Sequence, residues 1–233
     1  MSGPLPIVLV PGLNCTARLY AGQIPVLWDF GPVTIADHRR DDNVAAIAAH
    51  ILATAPPRFA LVGLSMGGYI AFAIARVAPE RVARLALLDT SARPDTAEQS
   101  ERRRGLIALA EGGRFSELPD LLLPVFVHRN RQGDEKLRAI VRTMAEETGP
   151  QAFVHQQHAI MTRPDSRPLL ASIRCPTLVL VGDGDELTPP MLSEEIAASI
   201  AGARLVRVPD CGHLSTLEHP EQVNRALVEW LEA

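Results

Sequence analysis

The chain contains few of the residues that mark several large classes of protein. Among its 23 lysine and arginine residues only Lys136 is a lysine, so catalysis through a Schiff base or a lysine base is not expected. The three cysteines, Cys15, Cys175 and Cys211, lie far apart in the chain. An odd and unclustered set predicts neither a disulfide framework nor a zinc site, and it is typical of a reducing compartment.

Long apolar runs and blocks of positive charge are also absent. The formal net charge is −4, and neither half of the chain is basic, so nucleic acid is not an expected partner. The longest stretch without a charge, 59–75, is shorter than the roughly 18 to 20 residues that cross a membrane. The apolar stretch 5–10 follows no positive charge, unlike the core of a signal peptide. We therefore expect a cytoplasmic protein with no membrane segment.

The composition is that of an ordinary globular protein. Apolar residues make up 47% of the 233 residues and charged residues 21%, close to the averages for folded domains. This length allows one domain, or one core that carries an insertion. Aromatic residues contribute only 4%, so the core must be filled mainly by leucine, valine, isoleucine and alanine.

Six short apolar runs alternate with segments long enough to be helices. The runs expected to be strands are 6–10, 33–36, 59–62, 85–88, 177–181 and 205–208. The segments expected to be helices are 43–55, 66–77, 191–200 and 221–231. Nearly continuous apolar character is typical of parallel strands covered on both faces. The alternation therefore predicts an α/β fold, with a mostly parallel sheet and helices on both faces.

This alternation stops between residues 91 and 172. Apolar residues there recur at helical spacing, as at Leu118 and Leu122, and prolines divide the stretch. The pattern predicts a helical cap, 91–172, inserted into an α/β core formed by 1–90 and 173–233.

The most specific motif is Gly63-Leu64-Ser65-Met66-Gly67-Gly68, between a predicted strand and a predicted helix. A serine on a sharp strand-to-helix turn projects its hydroxyl above the sheet, and this arrangement is the nucleophile elbow. The flanking glycines relieve crowding in such a strained turn. A chance match is the alternative, but the strand before and the helix after make it much less frequent. Ser65 is therefore the candidate nucleophile.

With Gly182-Asp183-Gly184-Asp185 and Gly212-His213, this motif resembles the α/β-hydrolase family, and the resemblance extends over residues 6–231. The family implies a triad in the order serine, acid, histidine along the chain. His213 follows the last predicted strand, where the family places the base. A base is needed there because a serine hydroxyl is a poor nucleophile until its proton is removed.

The histidine in turn needs a carboxylate that orients its ring and stabilises the imidazolium. Similarity to the family's Gly-x-x-Asp motif, followed by a proline that opens a helix, selects Asp185. Asp183, Glu186 and Asp89 remain alternatives, since two are close in sequence and the third ends the strand after the elbow helix.

Acyl transfer also requires hydrogen-bond donors for the developing oxyanion. The resemblance implies that the backbone N–H groups of Leu13 and Met66 supply them. Pro11 stands where the family usually has a histidine, a difference that leaves the backbone donor in place.

Several activities are not expected from these residues. A serine at the elbow differs from the carboxylate used by relatives that open epoxides or displace halide. Gly182 and Gly184 lack the third glycine of a dinucleotide fingerprint, so no nicotinamide cofactor is expected. No third ligand is spaced with His155 and His158, so no metal is expected.

We therefore expect a serine hydrolase that cleaves carboxylic esters of small or medium acyl groups through an acyl-enzyme on Ser65. An enol-lactone hydrolase or thioesterase would use the same residues, and a non-catalytic ligand-binding module is the alternative of another class. No heptad or edge-strand signal predicts an oligomeric state.

The cap is expected to select the substrate. Its apolar candidates for the pocket are Leu106, Leu109, Leu121, Leu122, Phe126, Met144, Phe153 and Met161. Its candidates for holding an acidic substrate group are Arg129, Arg131, Arg163 and Arg167.

Overall fold

The computed structural model describes residues 4–233. Residues 1–3, which belong to the N-terminal segment considered as a signal peptide, lie outside that range. Its strands form one parallel sheet in the order β2-β1-β3-β4-β5-β6. The strands are β1 (Ile7–Val10), β2 (Val33–Ile35), β3 (Phe59–Leu64), β4 (Val82–Leu88), β5 (Thr177–Gly182) and β6 (Arg204–Val208). The predicted α/β fold with a parallel sheet is therefore confirmed.

Eleven α-helices are present in the described range, joined by short 3-10 turns. They are α1 (Ile24–Leu27), α2 (Val44–Thr54), α3 (Met66–Val77), α4 (Ala97–Leu109), α5 (Leu118–Phe126), α6 (Glu135–Thr148), α7 (Pro150–Met161), α8 (Arg167–Leu170), α9 (Pro190–Ser199), α10 (Ser215–Glu218) and α11 (Pro220–Glu232). Within residues 4–233, no helix has the length and apolar character that spanning a membrane would require.

The sheet carries a hydrophobic core on each face, because successive side chains of a strand point to opposite sides. Leu61 of β3 belongs to the core that contains Ile47 of α2 and Ile70 of α3. Its neighbour Val62 belongs to the opposite core, which contains Leu227 of α11. The central strands β1, β3 and β5 are wholly buried between these two layers.

The stretch between β4 and β5 contains helices α4 to α8 and no strand in the described residues. Its side chains enter both cores. Leu118 and Phe153 pack with the core over α2 and α3, whereas Leu123 and Met144 pack with the core over α11. The helical segment is thus anchored to both layers of the α/β core.

The predicted elements differ from the observed ones mainly at their ends. Strand β4 begins at Val82, three residues before the predicted start at 85, because Val82 and the residues after it pair with β3 across a register shift. Asn43 caps α2, its side chain accepting a hydrogen bond from the N–H of Ala46. Helix α3 has the predicted bounds, so the elbow lies exactly between strand and helix in space as well as in sequence.

Candidate active site

Ser65 occupies the single residue between β3 and α3. Its backbone has φ 55° and ψ −114°, a conformation that a residue with a side chain adopts only at a cost of about 1 to 3 kcal/mol. Three hydrogen bonds hold it there. Its N–H donates to the Leu88 carbonyl at 2.9 Å, and its carbonyl accepts from the Gly68 N–H at 2.9 Å and from the Thr90 hydroxyl at 2.7 Å.

The glycines around this turn are required by close backbone approaches. A Cβ on Gly63 would lie 2.3 Å from the Gly67 carbonyl oxygen, and a Cβ on Gly67 would lie 2.0 Å from the Val10 carbonyl oxygen. Neither neighbour is a side chain that could move aside. A side chain at Gly63 would push the start of α3 away from β3, and one at Gly67 would push it away from β1.

His213 and Asp185 form a buried pair at the carboxyl ends of β5 and β6. Nδ1 of His213 lies 2.8 Å from Oδ2 of Asp185, and both side chains are almost fully inaccessible to solvent. The Asp185 carboxylate is held by the N–H groups of Leu187 and Thr188, each at 2.9 Å. The Thr188 hydroxyl donates at 2.7 Å to Oδ2 of Asp185, the same oxygen that contacts His213.

This arrangement favours the charged form of His213. Burial by itself would lower the pKa of His213, but the Asp185 charge and hydrogen bond outweigh it and raise that pKa above its ordinary value. An Nδ1 engaged with a carboxylate leaves Nε2 as the nitrogen that can exchange a proton with another group.

The alternative acids lie elsewhere. Asp183 and Glu186 are exposed. Asp89 is completely buried and its carboxylate accepts from the Gly182 N–H at 2.9 Å and from the Ser215 hydroxyl. Asp89 therefore joins the loops after β4, β5 and β6, while Asp185 is the carboxylate that contacts His213.

The charge of Asp89 is unfavourable in this position. Burial first, and then the nearby Asp185 charge, raise the pKa of Asp89 to about 8. The buried carboxyl of Asp89 thus keeps its proton to a higher pH than an exposed aspartate does.

The loop after β1 is held through the carbonyl of Gly12. The ring N–H of His38, at Nε2, donates to the Gly12 carbonyl at 2.9 Å, and burial lowers the pKa of His38 below its ordinary value. Because N–H and C=O point in opposite directions across a trans peptide, the Leu13 N–H points away from His38. Gly12 and Leu13 themselves line the cavity that contains Ser65.

Helix α7 holds the next part of the same loop. The side-chain oxygen of Gln156 accepts a hydrogen bond from the Asn14 N–H at 2.9 Å. Asn14 has a left-handed backbone with φ 58°. The thiol of Cys15 donates to the Leu13 carbonyl, and burial raises its pKa to about 12, so Cys15 remains a neutral thiol.

Met66 is the first residue of α3, and its side chain is fully buried in the core. The first N–H groups of a helix have no partner within it, and they carry partial positive charge. The Met66 N–H is therefore a donor at the start of the helix, directly after Ser65.

A single cavity brings the elbow and the histidine together. Ser65, His213, Leu13 and Thr188 all line it. Phe126 of α5 stacks on the His213 ring, with ring centroids 6.1 Å apart. Within the described residues Ser65 makes no direct hydrogen bond to His213, and catalytic hydrogen bonds of this kind often tighten only when substrate binds.

The cap contributes fewer of the expected residues to this cavity than the sequence suggested. Of the eight apolar candidates only Phe126 lines it. Met144 and Phe153 are buried in the cores, and Leu121 is exposed to solvent. Helical spacing predicts which residues face the core, and that spacing is the same whether a helix covers a core or a pocket.

The prediction of which arginines line the cavity also needs correction. Arg163 lines the cavity, but Arg129, Arg131 and Arg167 do not. Arg131 pairs with Asp134 and Arg167 with Asp165. The other arginines in the cavity wall are Arg93, Arg102 and Arg103, which come from the start of the cap and carry no distinctive sequence signal.

Comparison with known proteins identifies the family of this chain. A sequence model of the alpha/beta hydrolase family matches residues 7–226. The chain belongs to the α/β-hydrolase family. It is a hydrolase of the α/β type.

Relatives within the family include several hydrolases. A pimeloyl-[acyl-carrier protein] methyl ester esterase of Aromatoleum aromaticum is 31% identical over 195 residues, which are 78% of this chain and 77% of the relative. A malate-bound esterase structure from Thermogutta terrifontis is 32% identical with a TM-score of 0.88, over 98% of this chain and 89% of that one. An enol-lactonase from Burkholderia xenovorans LB400 is 26% identical with a TM-score of 0.91, over 100% and 93%.

This α/β-hydrolase has supporting residues that sequence reasoning did not identify. They are Thr188, which holds Asp185; His38 and Gln156, which hold the loop after β1; and Ser215, which holds Asp89. Thr188 alone had a local signal, since it stands three residues after Asp185. Within residues 4–233, no group of three or more His, Cys, Asp or Glu side chains is arranged to hold a metal ion.

Proposed function

We propose that this protein is a carboxylic ester hydrolase that forms an acyl-enzyme on Ser65. The observation that carries the proposal is the buried His213–Asp185 hydrogen bond of 2.8 Å, beside a cavity that Ser65 also lines. A strained serine elbow and a carboxylate-bound histidine on one cavity are the parts that acyl transfer requires. The esterases among the relatives support the same reaction class.

In the proposed mechanism Ser65 Oγ attacks the ester carbonyl while Nε2 of His213 accepts its proton. Asp185 orients the ring and stabilises the imidazolium through Nδ1. The carbon–oxygen bond to the alcohol then breaks, and His213 gives the proton to the departing alcohol. Water, activated by the same histidine, attacks the acyl-enzyme and releases the carboxylic acid.

We assign stabilisation of the oxyanion to hydrogen bonds from the backbone N–H groups of Leu13 and Met66. The His38 contact to the Gly12 carbonyl supports the first, because it turns the Leu13 N–H away from His38. The position of Met66 at the start of α3 supports the second. Each such donor typically contributes about 10² to 10³ in rate.

Substrate choice is assigned to the cap, residues 91–172. Only some of its side chains reach the cavity. Phe126 and Ile160 of the cap, together with Tyr69 of α3, form part of an apolar wall beside Ser65. This supports small or medium acyl groups. The three cysteines are unpaired, which supports the further proposal of a cytoplasmic location.

The direct test is hydrolysis of p-nitrophenyl esters from acetate to decanoate. We expect wild-type turnover and a loss of at least about 10³-fold in kcat for Ser65→Ala. The chain-length optimum then measures the acyl pocket. Mass spectrometry after treatment with a fluorophosphonate should show one adduct, on Ser65.

Ser91→Ala is the matched control, since Ser91 is a second buried serine in the same cavity wall. Its hydroxyl accepts the Arg93 N–H, and its variant should retain turnover. Equal rates for wild type and Ser65→Ala would reject the proposed mechanism.

An enol-lactone hydrolase would use the same residues, and the enol-lactonase among the structural neighbours supports that alternative. A thioesterase is chemically equivalent. Including one lactone and one acyl thioester in the substrate panel separates these reactions by kcat/KM. Tight ligand binding without release of acid would instead favour a non-catalytic module.

A further inference from the structure

The cavity that contains Ser65 has a strong imbalance of charge. Four arginines line it, Arg93, Arg102, Arg103 and Arg163, and Asp95 is the one acidic side chain in its wall. This contrasts with the whole chain, whose formal net charge is −4. Positive charge is therefore concentrated at the site where substrate binds.

Two of these arginines share one buried carboxylate. Arg103 and Arg163 each lie 2.6 Å from a different oxygen of Asp95, whose side chain is 1% exposed. Arg163 also lies over the Tyr69 ring, 4.1 Å from its centroid. The group is held rigidly and keeps one positive charge that Asp95 does not balance.

The remaining two arginines differ from each other. Arg93 is paired with Glu195 through two contacts, at 2.9 and 3.1 Å. Arg102 is exposed and, within the described residues, makes no ion pair. Its guanidinium is available to a ligand, beside a wall that is already positive.

One of the arginines is tied to the helix that follows Ser65, because Arg163 packs over the ring of Tyr69 in α3. Tyr69 is four residues after Ser65, about 6 Å along the helix. Apolar side chains, among them Leu13, Ile160 and Leu192, line the cavity around it. The wall thus combines apolar side chains and arginines in the cavity that Ser65 lines.

We propose that the substrate carries a carboxylate, separated from the ester by a short apolar chain, and that Arg102 binds this carboxylate with the unbalanced charge of Arg103 and Arg163 behind it. A guanidinium binds a carboxylate through paired hydrogen bonds, and such bonds are stronger than neutral ones. This inference rests on the proposed ester hydrolysis at Ser65.

The test compares two substrates that differ only at the far end of the acyl chain, monomethyl adipate and methyl hexanoate, with hydrolysis followed in a pH-stat. Wild type should favour the anionic ester in kcat/KM by about 10-fold or more, and salt should reduce this preference. Monomethyl esters from succinate to suberate should show an optimum length. A butyryl ester of glycolate tests whether the carboxylate is accepted on the alcohol side instead.

Helix α4 provides a matched pair of variants, at Arg102 and Arg104. Arg102→Gln should lower kcat/KM for the anionic ester by about 5- to 10-fold, with little change for methyl hexanoate. Arg102→Lys should restore part of the preference. Arg104→Gln is the control, because Arg104 pairs with Glu101 outside the cavity.

The possible failures are distinguishable. Turnover that depends on Ser65 but shows no preference for the anionic esters, or equal losses for both substrates in Arg102→Gln, overturns the inference and leaves the hydrolase proposal intact. If no ester is hydrolysed, isothermal titration calorimetry of Ser65→Ala with monomethyl adipate tests the binding of the anionic ester directly. Salt-sensitive binding of monomethyl adipate that Arg102→Gln removes supports the inference, and its absence overturns it.

Discussion

At the scale of single residues, Ser65 shows how the elbow keeps a reactive group in place. Its φ of 55° is unfavourable for a serine, and the carbonyl and N–H contacts to Leu88, Gly68 and Thr90 hold it there. The same backbone would be relaxed in a glycine. The position of the hydroxyl thus carries a cost in stability.

This cost predicts an increase in stability when the side chain is removed completely. Ser65→Gly should unfold with a free energy about 1 kcal/mol higher than Ser65→Ala, because glycine accepts positive φ without strain. Urea denaturation measures the difference. Ser91, whose backbone has no positive φ, should give the opposite order, and a less stable Ser65→Gly would contradict the strain argument.

Asp89 is a second residue whose position lowers the free energy of unfolding, in this case because its carboxyl group is buried. The ordinary pKa of 3.8 applies in the unfolded chain, whereas the folded pKa is about 8. Between these values the folded protein keeps a proton that the unfolded chain releases. Raising the pH from 4 to 8 through this group therefore lowers the free energy of unfolding.

Asp89→Asn should remove this dependence, because an amide resembles the protonated carboxyl and cannot ionise. We expect the variant to match wild type near pH 4 and to become relatively more stable towards pH 8, measured by urea unfolding across that range. Glu186→Gln, at an exposed position, is the control. Parallel curves for wild type and Asp89→Asn would show that Asp89 ionises normally in the fold.

At the scale of elements, helix α7 of the cap supports the loop after β1. Gln156 is fully buried and its side chain accepts the Asn14 N–H at 2.9 Å. His38 fixes the Gly12 carbonyl from the same side. Gln156 therefore acts on the loop of the proposed oxyanion donor Leu13 from outside the cavity wall.

Gln156→Met keeps the volume and removes the hydrogen-bond acceptor. We expect kcat to fall by about 10-fold with KM nearly unchanged, since oxyanion donors act more strongly on the transition state than on bound ester. Gln151→Met, at an exposed position of the same helix, should behave as wild type. A change in KM alone would mean that Gln156 shapes the substrate pocket instead.

At the scale of the whole molecule, the cap and the α/β layers share their hydrophobic cores. Phe153 packs with one core and Met144 with the other, and the Asp95 group ties the start of the cap to Arg163 beyond α7. Separate folding of the cap would leave both sets of apolar side chains exposed.

The molecule should therefore unfold in one cooperative transition. Far-UV circular dichroism reports all helices. Tryptophan fluorescence reports mainly the burial of Trp230 in α11, because the second tryptophan, Trp28, is already 63% exposed in the fold. We expect the two urea curves to coincide. An earlier loss of helical signal, before Trp230 is exposed, would show that the cap unfolds on its own.

The sequence by itself determined the elements and the candidate chemistry, because both depend on local patterns. Apolar runs predict buried strands, and helix α3 begins at Met66, directly after the serine of the elbow motif. Ser65, Asp185 and His213 each follow a strand in a short motif, and the carboxyl ends of parallel strands meet at one edge of the sheet. The choice of Asp185 over Asp89 came from resemblance, and it agrees with the contact to His213.

Only the tertiary structure decided which distant side chains surround these residues. Gln156 is 142 residues from Asn14, and Arg163 is 68 residues from Asp95. Such contacts depend on how the cap packs against the sheet, and no local periodicity distinguishes a helix side that faces a pocket from one that faces a core. For this reason the sequence predicted the reacting groups, whereas the charge of the cavity and the support of its loops emerged only from the fold.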